Sequence, residues 1–224
     1  SYYDDVAATF TNFAMSGIDK LHFGLEAAVS IPLYRSLALN GAVSWGQYTY
    51  DSNPYYLQTQ DNSGDIVSDG YVYWKDFRVE STPQTAVNVG LSWRSNNNIY
   101  LSADFNYYNN MYLSMSPIYR TDAVITGGMA PGDIEHLRRQ EKFDSAYTLN
   151  ASIGKNWYIH RKYTLGFSLD VKNILNNQDI KTGGYEQTRL SKNTETTVTT
   201  YQAFDSKYFY MFGTTYYLNL YFRF

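Results

Sequence analysis

The stretch YFYMFGTTYYLNLYFRF, residues 208–224, changes character at every step along the chain. Counted back from Phe224, alternate side chains form an apolar set, with aromatic residues at both ends and leucines between them. The other set is polar, small or tyrosine. Successive side chains of a β-strand point to opposite faces, so a period of two indicates a strand. Aromatic residues at both ends of an apolar face are typical of membrane barrels, and we predict one such strand over residues 208–224.

The composition excludes several classes of function. Among 224 residues, 18 are basic and 21 acidic, a net charge of −3 that argues against a nucleic-acid partner. The chain has no cysteine, and its three histidines are scattered along the sequence. We therefore expect no disulfide framework, no metal site and no cofactor. The length suits one domain or a part of a larger one.

The hydropathy pattern favours strands over helices as membrane-crossing elements. Mean hydropathy is −0.44, and no apolar run approaches the roughly 18 residues of a transmembrane helix. Strands of a membrane barrel alternate and so average out polar. The 24 tyrosines, within an aromatic content of 18%, fit strands and interfacial girdles.

Six upstream segments show the same alternation as the final stretch. They cover residues 9–31, with an interruption near Gly17, and residues 37–46, 87–93, 101–107, 147–153 and 163–171. Short turns near residues 33, 96 and 160 alternate with long polar loops over residues 51–82, 114–144 and 176–207. Within the second loop we expect a short helix capped by Asp133.

Loops of such unequal length are typical of outer-membrane barrels, which have short periplasmic turns and long extracellular loops. A soluble β-sandwich also alternates, but it gives no reason for the inequality. We therefore predict an all-β fold, an antiparallel transmembrane β-barrel in the outer membrane of a Gram-negative bacterium. Its long loops would be extracellular and its C-terminus periplasmic.

The strand count predicts a barrel larger than this chain. Seven strands are an odd number, whereas bacterial barrels have an even number. An open edge in lipid would also leave backbone groups unpaired. We expect residues 1–224 to be the C-terminal part of a barrel whose other strands precede Ser1. An eighth strand within residues 1–15 would instead allow a small stand-alone barrel, such as an adhesin or an enzyme.

Four stretches carry recognisable motifs. They are KLHFGLE (20–26), a basic residue followed by Gly-hydrophobic-Glu; TPQTAVNVGL (82–91), a Pro-initiated strand; DVKNILNN (170–177), an Asn-Leu motif; and KTGGYEQ (181–187). In this order they resemble the C-terminal barrel region of TonB-dependent outer-membrane receptors. The last motif and the tyrosine-rich final strand resemble Bacteroidetes members, including relatives of SusC.

The resemblance implies a plugged barrel of roughly 22 strands, with the plug domain upstream of this chain. The implied function is TonB-dependent active transport of a nutrient into the periplasm, with a glycan or an oligopeptide favoured over siderophores and cobalamin. The implied partners are membrane lipid, the TonB complex through the N-terminal region, a SusD-like surface lipoprotein and the barrel-assembly machinery. The final strand, with Phe222 and Phe224, resembles the signal that this machinery reads. Asn219 occupies a position where the signal often has a small residue.

Two groups of side chains are candidate site residues. Polar residues of the predicted strands would line the lumen, as a wide barrel requires whatever it carries: Asn40, Ser44, Asn88, Asp104, Asn106, Asn150 and Asp170. Aromatic residues of the first long loop would bind ligand by stacking on sugars or gripping peptides, or would pack the loop together instead: Tyr55, Tyr56, Tyr71, Tyr73 and Trp74.

An acidic run in the first loop raises the question of calcium. Asp61, Asp65 and Asp69 offer hard oxygen ligands at intervals that calcium uses. However, Ile66 and Val72 stand where an EF-hand loop has glycine and glutamate. A solvated polar turn therefore fits the run better.

The sequence also bears on a partner-docking surface, on enzymatic activity and on a scaffold role. The mixed-charge stretch EHLRRQEK (135–142) is either a solvated helix face or a docking surface for a lipoprotein lid. His22 and Glu26 share a predicted face, but no Gly-x-Ser-x-Gly motif is present, so no enzymatic activity is predicted. A receptor-like barrel that serves as an assembly scaffold in a surface complex stays open as an alternative to import.

Overall fold

Strands account for most of the computed structural model, which describes residues 1–4, 7–160, 162–192, 195 and 198–224. In chain order they are β1 (Tyr2–Asp4), β2 (Thr9–Ser16), β3 (Lys20–Tyr34), β4 (Leu37–Tyr50), β5 (Tyr55–Gln60), β6 (Ile66–Tyr71), β7 (Thr85–Arg94), β8 (Ile99–Asn109), β9 (Ala146–Ile159), β10 (Tyr163–Lys172), β11 (Lys181–Lys192), β12 (Thr199–Tyr210) and β13 (Thr215–Arg223). A 3-10 turn (Pro117–Arg120), α1 (Asp122–Ile125) and α2 (Pro131–Leu137) lie between β8 and β9. Within the described ranges, no helix is long and apolar enough to cross a membrane.

Seven strands form the main sheet, in the order β13-β10-β9-β8-β7-β4-β3. Each strand pairs antiparallel with the sheet strand that precedes or follows it along the chain, so the sheet is an up-and-down meander. These strands correspond to the seven predicted segments, and the all-β antiparallel prediction is confirmed.

The connections between strands are short at one end of the main sheet and long at the other. At the turn end, residues 35–36, 95–98 and 160–162 join neighbouring strands. At the loop end, residues 51–84, 110–145 and 173–214 join them, and residues 1–19 precede β3. The predicted inequality of the loops is therefore present in the fold. We call the structure formed by the four long segments the loop assembly.

One face of the main sheet, the apolar face, is predominantly hydrophobic on all seven strands. Directly opposed pairs such as Val89 with Phe105, and Leu169 with Leu218, place apolar side chains side by side. Leu25 and Leu220 are each 71% exposed, because no other described element packs on this face.

Aromatic side chains border the apolar face near both ends. The loop-end row contains Phe23, Trp45, Phe105, Tyr107, Tyr147 and Tyr216, and the turn-end row contains Trp93, Trp157, Tyr163 and Phe222. Neighbouring rings in a row touch: Phe23 meets Trp45 edge-to-face at 6.0 Å between centroids, and Tyr163 stacks on Phe222 at 5.7 Å.

The opposite face, the polar face, carries side chains that hydrogen-bond across strands. Ser30 donates to Asn40 at 2.8 Å, and Asn40 donates to Ser92 at 3.1 Å. Tyrosine rings lie over glycines of the neighbouring strand, with Tyr100 over Gly154. The absence of a Cβ at the glycine leaves the space that the ring fills.

From β3 to β10, the turn-end termini of successive strands are progressively displaced along the strand direction. A row of directly paired residues runs from Ile31 on β3 to Val171 on β10 through Leu39, Leu91, Ala103 and Ala151. It begins three residues from Tyr34 and finishes eight residues from Tyr163. A shift of about five residues over about five strand spacings corresponds to a tilt of roughly 35°, within the usual range for barrels.

The hydrophobic core lies in the loop assembly rather than under the sheet. Three clusters of buried side chains hold the long segments together. The first contains Tyr50, Tyr56, Val72, Trp74, Val79 and Met115; the second contains Met111, Leu113, Phe143, Ala146 and Ile180; the third contains Met129, Leu137 and Leu190. The long segments are thus folded together at one end of the sheet.

The prediction of one strand over residues 208–224 was wrong, because the chain bends between β12 and β13. The side chain of Asn173, 3% exposed, donates to the carbonyl of Phe212 at 3.1 Å. Asn176 accepts from the backbone N–H of Thr214 at 3.1 Å. Amides from a distant turn therefore hold residues 212–214 in a bend, and β12 pairs with β11 instead of joining the main sheet.

The predicted interruption of the stretch 9–31 near Gly17 is confirmed, and it divides the stretch into two strands, β2 and β3. Gly17 has φ +74°, and its carbonyl accepts a hydrogen bond from Ser52 at 2.7 Å. The extended conformation ends there, since glycine adopts positive φ readily. As a result β2 joins a four-stranded sheet, in the order β1-β2-β5-β6, within the loop assembly.

Two further predictions about the long loops were wrong. The first and third loops, predicted to be irregular, contain β5, β6, β11 and β12. The predicted helix is present as α2, but its N-cap is Ala130 and Pro131 occupies the first turn. Asp133 lies inside that turn and accepts a hydrogen bond from the backbone N–H of Tyr201 at 3.2 Å.

Candidate functional site

The loop assembly buries two of the five aromatic residues predicted to bind ligand and exposes three. Tyr56 and Trp74 lie in the first buried cluster, with exposures of 0% and 7%. Tyr55, Tyr71 and Tyr73 keep 40%, 55% and 40% of their surface exposed. Neighbours in an extended chain point to opposite sides, which separates the two groups. Only the exposed three are placed where a ligand can reach them.

The exposed rings are held by two carboxylates, and we call Tyr55, Tyr71, Tyr73, Asp69 and Asp122 the tyrosine patch. Tyr55 and Tyr71 are directly paired across β5 and β6, with ring centroids 5.8 Å apart at 79°. The phenol of Tyr55 donates to Asp69 at 2.5 Å. Asp122 accepts from the backbone N–H of Tyr71 at 2.6 Å and from the phenol of Tyr73.

These hydrogen bonds keep the phenols protonated. The bond to Asp69 raises the pKa of Tyr55, and the bond to Asp122 raises the pKa of Tyr73. An ionised phenol would lose the proton that it donates and would face a negative charge. Both residues are therefore neutral donors at neutral pH, and the bonds fix their ring orientation.

Gly70 makes the approach of Asp122 possible. A Cβ at this position would lie 2.8 Å from the Asp122 carboxylate and 3.4 Å from the Tyr56 ring. Its φ of +150° also disfavours residues with a side chain. Beneath the patch, Tyr56 and Ser68 share a hydrogen bond of 2.7 Å. The patch thus stands on a packed base.

A cavity of about 450 Å³ lies within the loop assembly between β1, the β5–β6 hairpin, the 3-10 turn and β11. Its wall mixes polar and apolar side chains, including Tyr2, Gln58, Ile118 and Leu190. Gln58 is 6% exposed and donates to Asp4 at 2.5 Å and to Thr11 at 3.2 Å. The amide of Gln58 therefore already donates its hydrogen bonds to protein groups. On the same cavity wall, burial raises the pKa of the Tyr2 phenol.

A buried ion pair holds the cavity wall and the neighbouring segments together. Arg120, 2% exposed, makes two parallel hydrogen bonds of 2.7 Å with Glu186. Its Nε also donates to the carbonyl of Leu137 at 2.9 Å, and its guanidinium lies 5.6 Å from the ring of Phe77. Three of the four long segments of the loop assembly, residues 51–84, 110–145 and 173–214, meet at this one side chain. Sequence reasoning missed the pair, because its members are 66 residues apart and have no local signature.

The seven residues predicted to line the lumen all lie on the polar face. This set is Asn40, Ser44, Asn88, Asp104, Asn106, Asn150 and Asp170. Asn88 donates to Asn106 at 2.8 Å, and Asn106 donates to Thr148 at 3.4 Å. A shallow hollow of about 470 Å³ opens beside them over alanines of β3, β4 and β7. The structure thus brings the predicted residues onto one surface.

The residues of the predicted assembly signal lie at the turn end of the apolar face. Phe222 stacks on Tyr163, and the ring of Phe224 lies 6.3 Å from that of Phe222. Phe224 is 94% exposed. Both rings therefore extend the turn-end aromatic row.

The acidic turn and His22, two other candidates from the sequence, both contact neighbouring side chains. The acidic turn forms the tip of the β5–β6 hairpin, where Asp61 accepts from Asn12 at 2.7 Å. No group of potential metal ligands occurs among the described residues. His22 lies against Tyr48, with ring centroids 4.8 Å apart.

The mixed-charge stretch EHLRRQEK divides between solvent and the loop assembly. Glu135 on α2 and Arg139, two residues beyond its end, form an exposed pair at 3.6 Å. Glu141, by contrast, accepts from Tyr208 at 2.7 Å and pairs with Lys181 at 3.6 Å. The second half of the stretch therefore anchors β11 and β12, and only its first half fits the solvated-face interpretation.

Comparison of the chain with protein-family models, with curated proteins and with solved structures finds no match. Function is therefore inferred from the sheet, the loop assembly and the sequence motifs.

Proposed function

We propose that the main sheet is part of the wall of a transmembrane β-barrel in the outer membrane of a Gram-negative bacterium, and that this barrel imports a nutrient. The observation that carries the proposal is the two-sided character of the sheet. An exposed apolar face lies between two aromatic rows, and a hydrogen-bonded polar face lies behind it. Exposed apolar area of this extent is unfavourable in water and favourable in lipid.

The spacing of the aromatic rows fits a bilayer. Tyr147 and Trp157 on β9 are ten residues apart, roughly 33 Å along a strand. With a tilt of roughly 35° the rows stand about 27 Å apart, close to the apolar band of about 25 Å in membrane barrels. Lys155, on the apolar face, holds its Nζ 5.2 Å from the ring of Trp157 in the turn-end row. At that depth a lysine can extend to the interface.

The edges of the sheet favour a wall that continues beyond these seven strands. Strands β3 and β13 both run from the loop end to the turn end, so they cannot pair with each other antiparallel. Lipid does not tolerate unpaired backbone groups along an edge. We propose that an odd number of further strands completes an even-numbered barrel, with a plug domain inside it.

Import through this barrel is supported by the polar face and by the motifs that resemble TonB-dependent receptors. The polar face would line the lumen, and the loop assembly would face the cell exterior. Energy would come through the TonB complex, and a SusD-like lipoprotein would cover the loop end. The terminal aromatics Phe222 and Phe224 would direct assembly of the barrel.

The test is uptake by cells that lack the protein. Fluorescent oligosaccharides and oligopeptides are offered to wild-type, deletion and complemented strains, with and without a protonophore. Import predicts that the deletion and the protonophore each abolish uptake of one probe class, whereas the deletion strain without protonophore grows normally on monosaccharides. Unchanged uptake of every probe, together with loss of a surface protein complex, would contradict import and favour the scaffold alternative.

A further inference from the structure

We propose that the tyrosine patch binds an organic cation, an ammonium or guanidinium group of the kind carried by a lysine- or arginine-containing peptide. The site rests on the proposed function in one respect, since an imported peptide would be its natural source. It narrows the nutrient class from glycan or oligopeptide to a positively charged ligand.

The rings provide the first element of a cation site. Tyr55 and Tyr71 lie side by side and exposed on the β5–β6 hairpin, and Tyr73 is exposed two residues beyond the end of β6. The face of an aromatic ring is electron-rich and attracts a cation placed over it. Because Tyr55 donates its phenolic proton to a carboxylate, electron density in its ring increases. Fixed rings also lose little side-chain entropy when a ligand binds.

The carboxylates provide the second element. Asp69 is exposed and Asp122 is half-buried, and each accepts a hydrogen bond from a phenol of the patch. A carboxylate has lone pairs for more than one donor. Residues 51–82 carry six acidic side chains (Asp51, Asp61, Asp65, Asp69, Asp76, Glu80) and two basic ones (Lys75, Arg78). The guanidinium nearest in the chain to Asp122, that of Arg120, is buried and paired with Glu186. The local charge therefore favours a cation and opposes an anion.

The chemistry of the patch distinguishes a cation from a neutral sugar. A sugar needs hydrogen-bond donors as well as acceptors, and two of the three phenols already donate to carboxylates. A cation needs only acceptors and ring faces, which the patch supplies. Cation binding also weakens as salt is added, whereas stacking of a neutral sugar does not.

The experiment measures binding to the purified full-length protein by calorimetry. The probes are the peptide Ala-Lys-Ala-Lys-Ala, its glutamate counterpart, spermidine and maltoheptaose. We expect the lysine peptide to bind, with an affinity that falls between about 0.05 and about 0.5 M NaCl. The glutamate peptide and maltoheptaose should not bind. Equal affinity for spermidine would identify a free polyamine as a sufficient ligand, and a stronger lysine peptide would identify a peptide.

Matched variants locate the site. Tyr71→Ala should weaken the lysine peptide by about two- to five-fold, the usual contribution of one exposed ring, and Asp69→Asn should weaken it and flatten its salt dependence. The controls are Tyr185→Ala, an equally exposed ring at 49% on β11, and Asp65→Asn at the hairpin tip. Thermal unfolding of each variant verifies that the loop assembly is intact.

Two results would overturn the inference. One is lysine-peptide binding that Tyr71→Ala and Asp69→Asn leave unchanged, or that the controls weaken equally. The other is salt-independent binding of maltoheptaose that the patch variants abolish. Calorimetry on purified protein does not depend on transport, so its failure and the failure of import are distinguishable. Peptide bound at the patch but never taken up would sustain the site and refute import.

Discussion

The tyrosines of this chain occupy three different environments. Tyr147 and Tyr216 border the apolar face, whereas Tyr100 covers a glycine of the next strand on the polar face. Tyr55 and Tyr71 stand in the open on the β5–β6 hairpin. Composition alone predicts a tyrosine-rich barrel strand, but only the backbone direction at each position decides which environment a given ring enters.

At the residue scale, Glu186→Gln should destabilise the loop assembly by about 3–5 kcal/mol, because it leaves the buried Arg120 charge without a partner. Hydrogen exchange in residues 117–120 and along β11 measures the effect as faster exchange. The control is Glu135→Gln, which removes a pair whose side chains are 60% and 75% exposed. Such a pair contributes about 0.5 kcal/mol or less. Equal protection in both variants would show that Arg120 is not the anchor of the assembly.

A second residue-scale prediction concerns the base of the tyrosine patch. Gly70→Ala should displace the Asp122 carboxylate and expose the backbone N–H of Tyr71, since a Cβ and that carboxylate cannot share the space. Amide exchange at Tyr71 should therefore accelerate, and exchange in the main sheet should stay as in the wild type. Unchanged exchange at Tyr71 would mean that Asp122 does not hold this backbone group.

The strands of the main sheet could be predicted because their alternation is local. Those of the loop assembly could not. β11 contains GGYEQ and β6 contains SDG, compositions that ordinarily indicate a turn. The bend after β12 depends on Asn173, a residue 39 positions from the carbonyl that it binds. Tertiary contacts of this kind leave no periodic pattern in the sequence. For the same reason the sequence indicates five candidate loop aromatics but does not indicate which three of them are exposed.

At the element scale, the pairing of β11 with β12 depends on Gly184. Its φ is +155°, and a Cβ would overlap the carbonyl of Lys207 on β12. Gly184→Ala should therefore separate the two strands locally and make them susceptible to proteolysis. Gly132→Ala is the control, since a Cβ at this α2 position meets nothing within 4 Å. Equal protease resistance of both variants would contradict the pairing.

At the scale of the whole molecule, the apolar face and the polar face should respond oppositely to charge. Val89 is 48% exposed on the apolar face, so Val89→Arg would be harmless in water but should cost about 2–4 kcal/mol in a bilayer. The amount of folded, heat-modifiable protein in outer-membrane fractions should fall. Asn88→Arg, one residue away on the polar face, should assemble at a level near that of the wild type. Equal yields of the two variants would count against lipid on the apolar face.

Whether lipid covers the apolar face can be measured directly with single cysteines, because the sequence contains no native cysteine. Leu101→Cys and Ile153→Cys are opposed on the apolar face, and Ser102→Cys and Ser152→Cys are opposed beside them on the polar face. Leu101 and Ile153 are 41% and 39% exposed, so water would reach them if lipid did not cover them.

Each variant is treated in intact outer membranes with a charged, membrane-impermeant methanethiosulfonate and then again after unfolding. We predict that the cysteines at positions 102 and 152 react in the intact membrane, and that those at positions 101 and 153 react only after unfolding. Reaction of Leu101→Cys and Ile153→Cys at the same rate as their neighbours would contradict this prediction. The apolar face would then lie in water, and the sheet would not be the wall of a membrane barrel.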